Sequence, residues 1–202
     1  MDILRSQRRP CLAVLLLVVT CASAAAFSTV VIDAGHGGHD RGGIPTNILP
    51  EKGVALDTAR RVQGYLKAAG LRAVMTRSSD VFVTLDQRVA ISNSQKNAIF
   101  VSIHYNSAAR RGANGIETFA NASGLRLAGL IQSKAMKTTF GENRGVKQRG
   151  FYVLRNNRKP SVLVECGFLT NPSDAALAGR ASYRDKLARQ IASAILEYRR
   201  SL

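Results

Sequence analysis

The apolar residues of this chain fall in short runs separated by longer stripes of helical period. Thr29 to Ala34 reads TVVIDA, a continuous apolar run that ends in glycines, as a buried strand does. From Lys52 to Ala69 the apolar positions are Val54, Ala55, Ala59, Val62, Leu66 and Ala69, one face of a helix, and Gly70 stops it. Leu71 to Thr76 predicts a second strand, and Thr84 to Gln95 a second helix with Thr84 as its N-cap. Ala98 to His104 (AIFVSIH) predicts a buried strand, and Gly115 to Ala120 (GIETFA) another. A third helix is expected over Gly124 to Phe140, strands over Phe151 to Leu154 and Val162 to Cys166, and a last helix over Tyr183 to Tyr198. Strands separated by helices imply a single α/β domain. Its sheet is expected to be roughly six-stranded, twisted and mostly parallel, with helices on both faces. In such sheets ligands gather at the carboxyl ends of the strands.

The first residues follow another logic. Arg5, Arg8 and Arg9 form a basic start, Cys11 to Val19 is apolar but too short for a permanent span, and small residues follow. This is the layout of an export signal covering residues 1–26, with cleavage after Ala26 or after Ala24 and a mature domain of residues 27–202. Arg8-Arg9 leaves twin-arginine export open, and Cys21 leaves lipoprotein anchoring as a minor alternative. Of three cysteines, only Cys166 would remain, so no internal disulfide is expected. The whole chain carries a net charge of +16. Loss of residues 1–26 leaves 26 basic and 12 acidic residues, a net +14. The basic residues are dispersed and no aromatic residues interleave them, which argues against nucleic acid and toward the anionic polymers of a cell envelope.

The chemistry-bearing residues sit where strands run out. His36 and His39 follow the first strand in DAGHGGHD, His104 ends AIFVSIH, Glu51 opens the first long helix, and Glu165 closes VLVE. Imidazole nitrogen and carboxylate oxygen suit zinc, which in catalytic sites takes three protein ligands and keeps one position for water. A further carboxylate serves as general base. Taken singly, a histidine at a strand end is more often a hydrogen-bonded bystander, and Glu51 could be a first-turn helix charge. Glu165, closing an apolar run, is the less ordinary case because burying a carboxylate is costly.

Seven segments in order carry a resemblance: VVIDAGHGGHDRGG, PEKGVALDTAR, TRSSDVFVTLDQRVAISN, FVSIHYNS, GIETF, RGVKQRGFYVLRN and PSVLVECGFLTNPSD. Across nearly all of the expected mature chain the sequence resembles the zinc-dependent N-acetylmuramoyl-L-alanine amidases of type 3, which are peptidoglycan hydrolases. The resemblance implies one catalytic zinc ion held by His36, Glu51 and His104, with Glu165 as the catalytic glutamate. It gives His39 no ligand role. Asp33 and Asn106 are expected either to orient ligands or to touch substrate, and Arg88 to pin the second helix through a salt bridge. Cys166 should point away from Glu165 because side chains alternate along a strand, which speaks against a thiolate nucleophile. Some relatives carry a blocking helix between the segments around His104 and Arg144. Here that stretch is short, so a site open without an activator is expected. No appended wall-binding module is visible, and the positive charge could substitute for one. The expectation is thus an exported, monomeric enzyme of the periplasm or cell envelope, without a permanent membrane span, that cleaves the bond between N-acetylmuramic acid and L-alanine. The alternatives are a zinc peptidase acting within the stem peptide and an inactive wall-binding module.

Overall fold

The computed structural model describes residues 26–43 and 48–202. Residues 1–25, where nearly all of the expected export signal falls, lie outside the described residues. Six strands form one sheet in the order β2-β1-β3-β6-β4-β5. They are β1 (Thr29–Ala34), β2 (Arg72–Met75), β3 (Ala98–Asn106), β4 (Ile116–Ala120), β5 (Asn143–Lys147) and β6 (Ser161–Phe168). The β2, β1, β3 and β6 strands run parallel, β4 runs antiparallel to β6, and β5 is parallel to β4. The central strands β1, β3 and β6 are almost wholly buried, as the run-like rather than alternating pattern of TVVIDA and AIFVSI requires of a sheet covered on both faces.

One face is covered by α1 (Glu51–Ala68), α3 (Leu125–Ala135) and α6 (Ala181–Arg200), and the larger core cluster lies between them and the sheet. Tyr105 and Thr58 join β3 to α1 inside this core through a hydroxyl pair at 2.9 Å. The other face is covered more thinly by α2 (Leu85–Ser94) and α4 (Tyr152–Arg155), over Val31, Phe100, Phe119 and Leu163. Because this second layer is thin, the carboxyl ends of the strands stay accessible on that face. The α2 start is fixed as its sequence suggests: Thr84 and Gln87 form a reciprocal capping box.

Two elements differ from the expectation. Phe151 to Leu154 is not a strand. Tyr152–Arg155 is a single helical turn, with Val153 and Leu154 packed into the smaller core. A four-residue apolar run fits either state, and tertiary packing decides. The edge strand is instead β5, whose residues are mostly exposed and carry no apolar alternation. Gly145, at φ 75°, accompanies a register shift in its pairing with β4. The third helix also ends earlier, at Ala135, and passes into a 3-10 turn over Met136–Thr138. A further helix, α5 (Pro172–Gly179), starts at Asn171, whose side chain accepts from the backbone N–H of Ser173 and Asp174.

Candidate metal centre

The site is built on the loop that leaves β1. His36 has φ 59°, the left-handed region that costs a non-glycine residue energy, so its surroundings must hold it there. Two arginines do so. Arg88 of α2 donates to the carbonyls of Ala34 at 2.6 Å and His36 at 2.7 Å, and to Asp33 Oδ1 at 2.7 Å. Arg77, just after β2, donates to the carbonyls of Ala34, Gly35 and Lys52. Asp33 is buried, and its carboxylate also accepts from Thr76 and Ser102, each at 2.6 Å. Burial alone would raise the Asp33 pKa, but Arg88 and the two hydroxyls hold it below the usual carboxylate range. Asp33 is therefore saturated by protein groups, and Arg88 makes the salt bridge to it that pins α2.

Two glycines make room for the His36, Glu51 and His104 side chains. A Cβ on Gly35 would stand 2.4 Å from the His104 ring. A Cβ on Gly42 would stand 2.6 Å from the His36 ring and 2.7 Å from Glu51 Oε2. The chain passes so close to these rings that any side chain there would displace them.

His36, Glu51 and His104 converge. Each offers a ligand atom, and these atoms lie within 4.8 Å of one another. Glu51 opens α1 and is only 2 % exposed. Its Oε2 is 3.1 Å from His36 Nε2, and its Oε1 is 2.9 Å from His104 Nδ1. Asp40 Oδ2 accepts from His36 Nδ1 at 2.8 Å, which leaves the Nε2 lone pair turned to the cluster. Burial disfavours ionisation of Glu51, yet the two imidazoles hold its pKa down at about 2. Burial likewise disfavours a charged His104, but its bond to Glu51 and the surrounding carboxylates push its pKa up to about 9. The buried cluster thus demands positive charge. A divalent cation supplies that charge, and two nitrogens with one carboxylate are a donor set that suits zinc. The residues present therefore fit such an ion.

Glu165 is the register partner of His104 in the next strand. It is 9 % exposed, and its Oε2 is buried without a hydrogen-bond partner. Burial first, and then the like charges of Glu51 and Glu117, push its pKa up to about 8. All four groups line one cleft of about 580 Å³, with Asn106, Phe82 and Tyr152 among its other walls.

The remaining expected residues are placed as follows. His39 is exposed and outside the cluster, with its ring against Phe82 at 4.2 Å between centroids. Cys166 lies on the opposite face of β6 in the larger core, and burial pushes its thiol pKa well up. Asn106 lines the cleft, and its Nδ2 donates to Glu117 Oε1 at 2.5 Å. Three residues were not singled out from the sequence: Arg77, Asp40 and Glu117. The signal for the first two was their place within the quoted segments, beside His36 in one and in TRSSD in the other. Glu117 is the acidic residue of GIETF, and its burial depends on a strand pairing that the sequence order does not show.

The family model described as N-acetylmuramoyl-L-alanine amidase matches residues 30–197. The chain is 41 % identical over 177 residues to the amidase LytC of Bacillus subtilis, covering 85 % of this chain but 36 % of LytC. It is 34 % identical to the germination-specific N-acetylmuramoyl-L-alanine amidase of the same organism, covering 84 % of this chain and 78 % of that one. Among solved structures, the amidase AmiC2 of Nostoc punctiforme superposes with a TM-score of 0.81 at 40 % identity, covering 84 % of this chain and 96 % of that chain. A match over most of the length, joined to a His-Glu-His cluster at the strand ends, makes this chain a member of the N-acetylmuramoyl-L-alanine amidase family.

Proposed function

We infer that the protein is a zinc-dependent hydrolase of the amide between N-acetylmuramic acid and the L-alanine of the peptidoglycan stem peptide. The observation that carries this reading is the meeting of His36, Glu51 and His104 opposite an unpaired Glu165 oxygen in one open cleft. His36, Glu51 and His104 would hold the ion. Zinc, when bound, would polarise the scissile lactyl carbonyl and make a water more acidic.

The chain's own groups do the rest. Glu165 faces the cleft with an oxygen that no protein group occupies, so it is free to accept a proton from the attacking water. The water oxygen bonds to the lactyl carbonyl carbon. The carbon–nitrogen bond breaks, and Glu165 returns the proton to the departing amine of L-alanine. Asp40 keeps His36 in one tautomer, and Arg77 and Arg88 hold the loop that carries it.

Among the described residues, the cleft lining includes none between Ala108 and Gly150, which supports a site open without an activator. No described helix is long and apolar enough to cross a membrane. Action in the cell envelope, after export directed by residues 1–26, completes the reading.

Glu165→Gln keeps the shape and removes the base. Turnover of purified peptidoglycan should fall by about 10²–10⁴-fold while the zinc content of the protein stays at wild-type level. Undiminished release of stem peptide by that variant would remove Glu165 from this role. Products bearing a cut inside the stem peptide, rather than an intact one, would turn the reading to a peptidase.

A further inference from the structure

The cleft and the sheet face that continues past its Asn106 wall toward β5 differ in chemistry from one end to the other. Their groups share one face of the sheet and can be followed strand by strand. His36 follows β1 and His104 lies in β3, where its register partner is Glu165 of β6. Glu165 in turn is the register partner of Glu117 of β4. Phe119, two residues on and so on the same face, is the register partner of Lys147 in β5.

The β1 end is aromatic and apolar. Phe82 lines the cleft there with 44 % of its surface exposed, and Val81 and Leu85 beside it are 47 % and 53 % exposed. The segment is held in place rather than left to collapse inward. Asp80 accepts from the Gly38 N–H at 2.8 Å and from Lys52 at 2.6 Å, and the Thr84 capping box follows. His39 lies against the Phe82 ring. An apolar patch kept exposed at the lip of a polar site marks a binding surface.

The β5 end is polar and cationic. Glu117 is 5 % exposed, and its carboxylate joins Asn106 on the cleft wall to Lys147 on the edge strand. The Lys147 side chain is 43 % exposed, and an ammonium has three donors, of which Glu117 takes one. Arg144 Nε stands 3.6 Å from the same carboxylate. Among the described residues, two buried side-chain atoms lack a hydrogen-bond partner: this Arg144 Nε and Glu165 Oε2.

The substrate inferred above is equally two-sided. On one side of its scissile amide is an uncharged glycan, whose C–H faces suit the electron-rich face of an aromatic ring. On the other is a peptide of amides and carboxylates. We propose that the glycan lies over Phe82 and His39 at the β1 end, and that the stem peptide passes Asn106 toward Lys147 at the β5 end. This polarity rests on the amidase reading.

The test uses the full, metal-loaded chain and two pairs of soluble peptidoglycan fragments. One pair differs in glycan length with the same peptide. The other has the same glycan, with stem-peptide carboxylates either free or amidated. Wild type should show a lower KM for the longer glycan and for free carboxylates. Phe82→Ala should remove about 3–10-fold of the preference for longer glycan and leave the carboxylate preference intact. Lys147→Ala should remove about 3–5-fold of the carboxylate preference and leave the glycan preference intact. The variants Phe82→Tyr and Lys147→Arg should restore each, with metal content at the wild-type level throughout. Crossed effects, equal effects of both variants on both pairs, or no preference in wild type would overturn the proposal. So would full retention of both preferences in Phe82→Ala and Lys147→Ala. A wild-type enzyme that releases no stem peptide from either pair would fail the amidase reading itself.

Discussion

At the residue scale, the site is a contest between burial and charge. Glu51 and Glu165 are both buried carboxyl groups on the same cleft, yet their pKa values part in opposite directions, to about 2 and about 8. The difference lies in partners: Glu51 sits between two imidazoles, whereas one oxygen of Glu165 meets none. This has a consequence for the metal-free protein. Folded Glu165 binds a proton up to about pH 8, whereas an unfolded glutamate releases it near 4.5. Its favourable contribution is therefore complete below 4.5 and is lost as pH rises through 8. His104, raised from 6.5 to about 9, loses its contribution in the same direction at higher pH. The melting temperature of the chelator-treated protein should fall between pH 6 and 9, and more steeply in wild type than in Glu165→Gln. Parallel melting curves for the two proteins would show that Glu165 is not the buried acid described. Taken singly, the residues of this centre were ambiguous in the sequence, and it was the resemblance carried by seven ordered segments that singled out His36, Glu51, His104 and Glu165. The structure brings these four to one cleft, with His104 and Glu165 inside β3 and β6 rather than at their last residues. The Asn106–Glu117 contact was not legible, because it needs β4 to return antiparallel beside β6.

At the scale of elements, the β1 exit loop is held from outside. Its turn places His36 at positive φ, and the guanidinium groups of Arg77 and Arg88 occupy the carbonyls that the turn leaves open. Arg88 also neutralises Asp33, at 4 % and 1 % side-chain exposure. Arg88→Ala would strand a buried carboxylate and release the start of α2. The expected loss is about 3–5 kcal/mol, read as a large drop in denaturant midpoint. A loss within about 0.5 kcal/mol, the range of ordinary surface changes, would contradict the clamp. The apolar runs of β1, β3 and β6 announced themselves because both sheet faces are covered. β5 did not, since an exposed edge strand of Asn, Arg, Gly, Val and Lys has no apolar period. FYVL misled for the opposite reason, being apolar enough for a strand but packed as one helical turn. The α5 start was passed over in the sequence, although Asn171-Pro172 supplies a capping side chain and a proline in the first turn.

At the scale of the molecule, the net charge of +16 sets the long-range behaviour. Arg61 and Arg184 are already engaged in the ion pairs of α1 and α6, where Arg61 meets Asp57 and Asp185, and Arg184 meets Asp57. The surplus is spread over the surface and attracts polyanions. Binding to purified anionic cell wall should weaken markedly as salt rises from low to physiological concentration, because the screening length shrinks from about 30 Å to about 8 Å. Retention unaffected by salt in a sedimentation assay would assign wall binding to the cleft rather than to the field.

The central claim is that His36 Nε2, Glu51 and His104 Nδ1 surround one catalytic zinc ion. It is tested most directly by anomalous diffraction at the zinc edge from crystals of the metal-loaded protein. The account expects a single strong peak within bonding distance of all three groups, with Glu165 across the cleft and outside the ligand set. A peak elsewhere, or none between the two imidazoles, would contradict it.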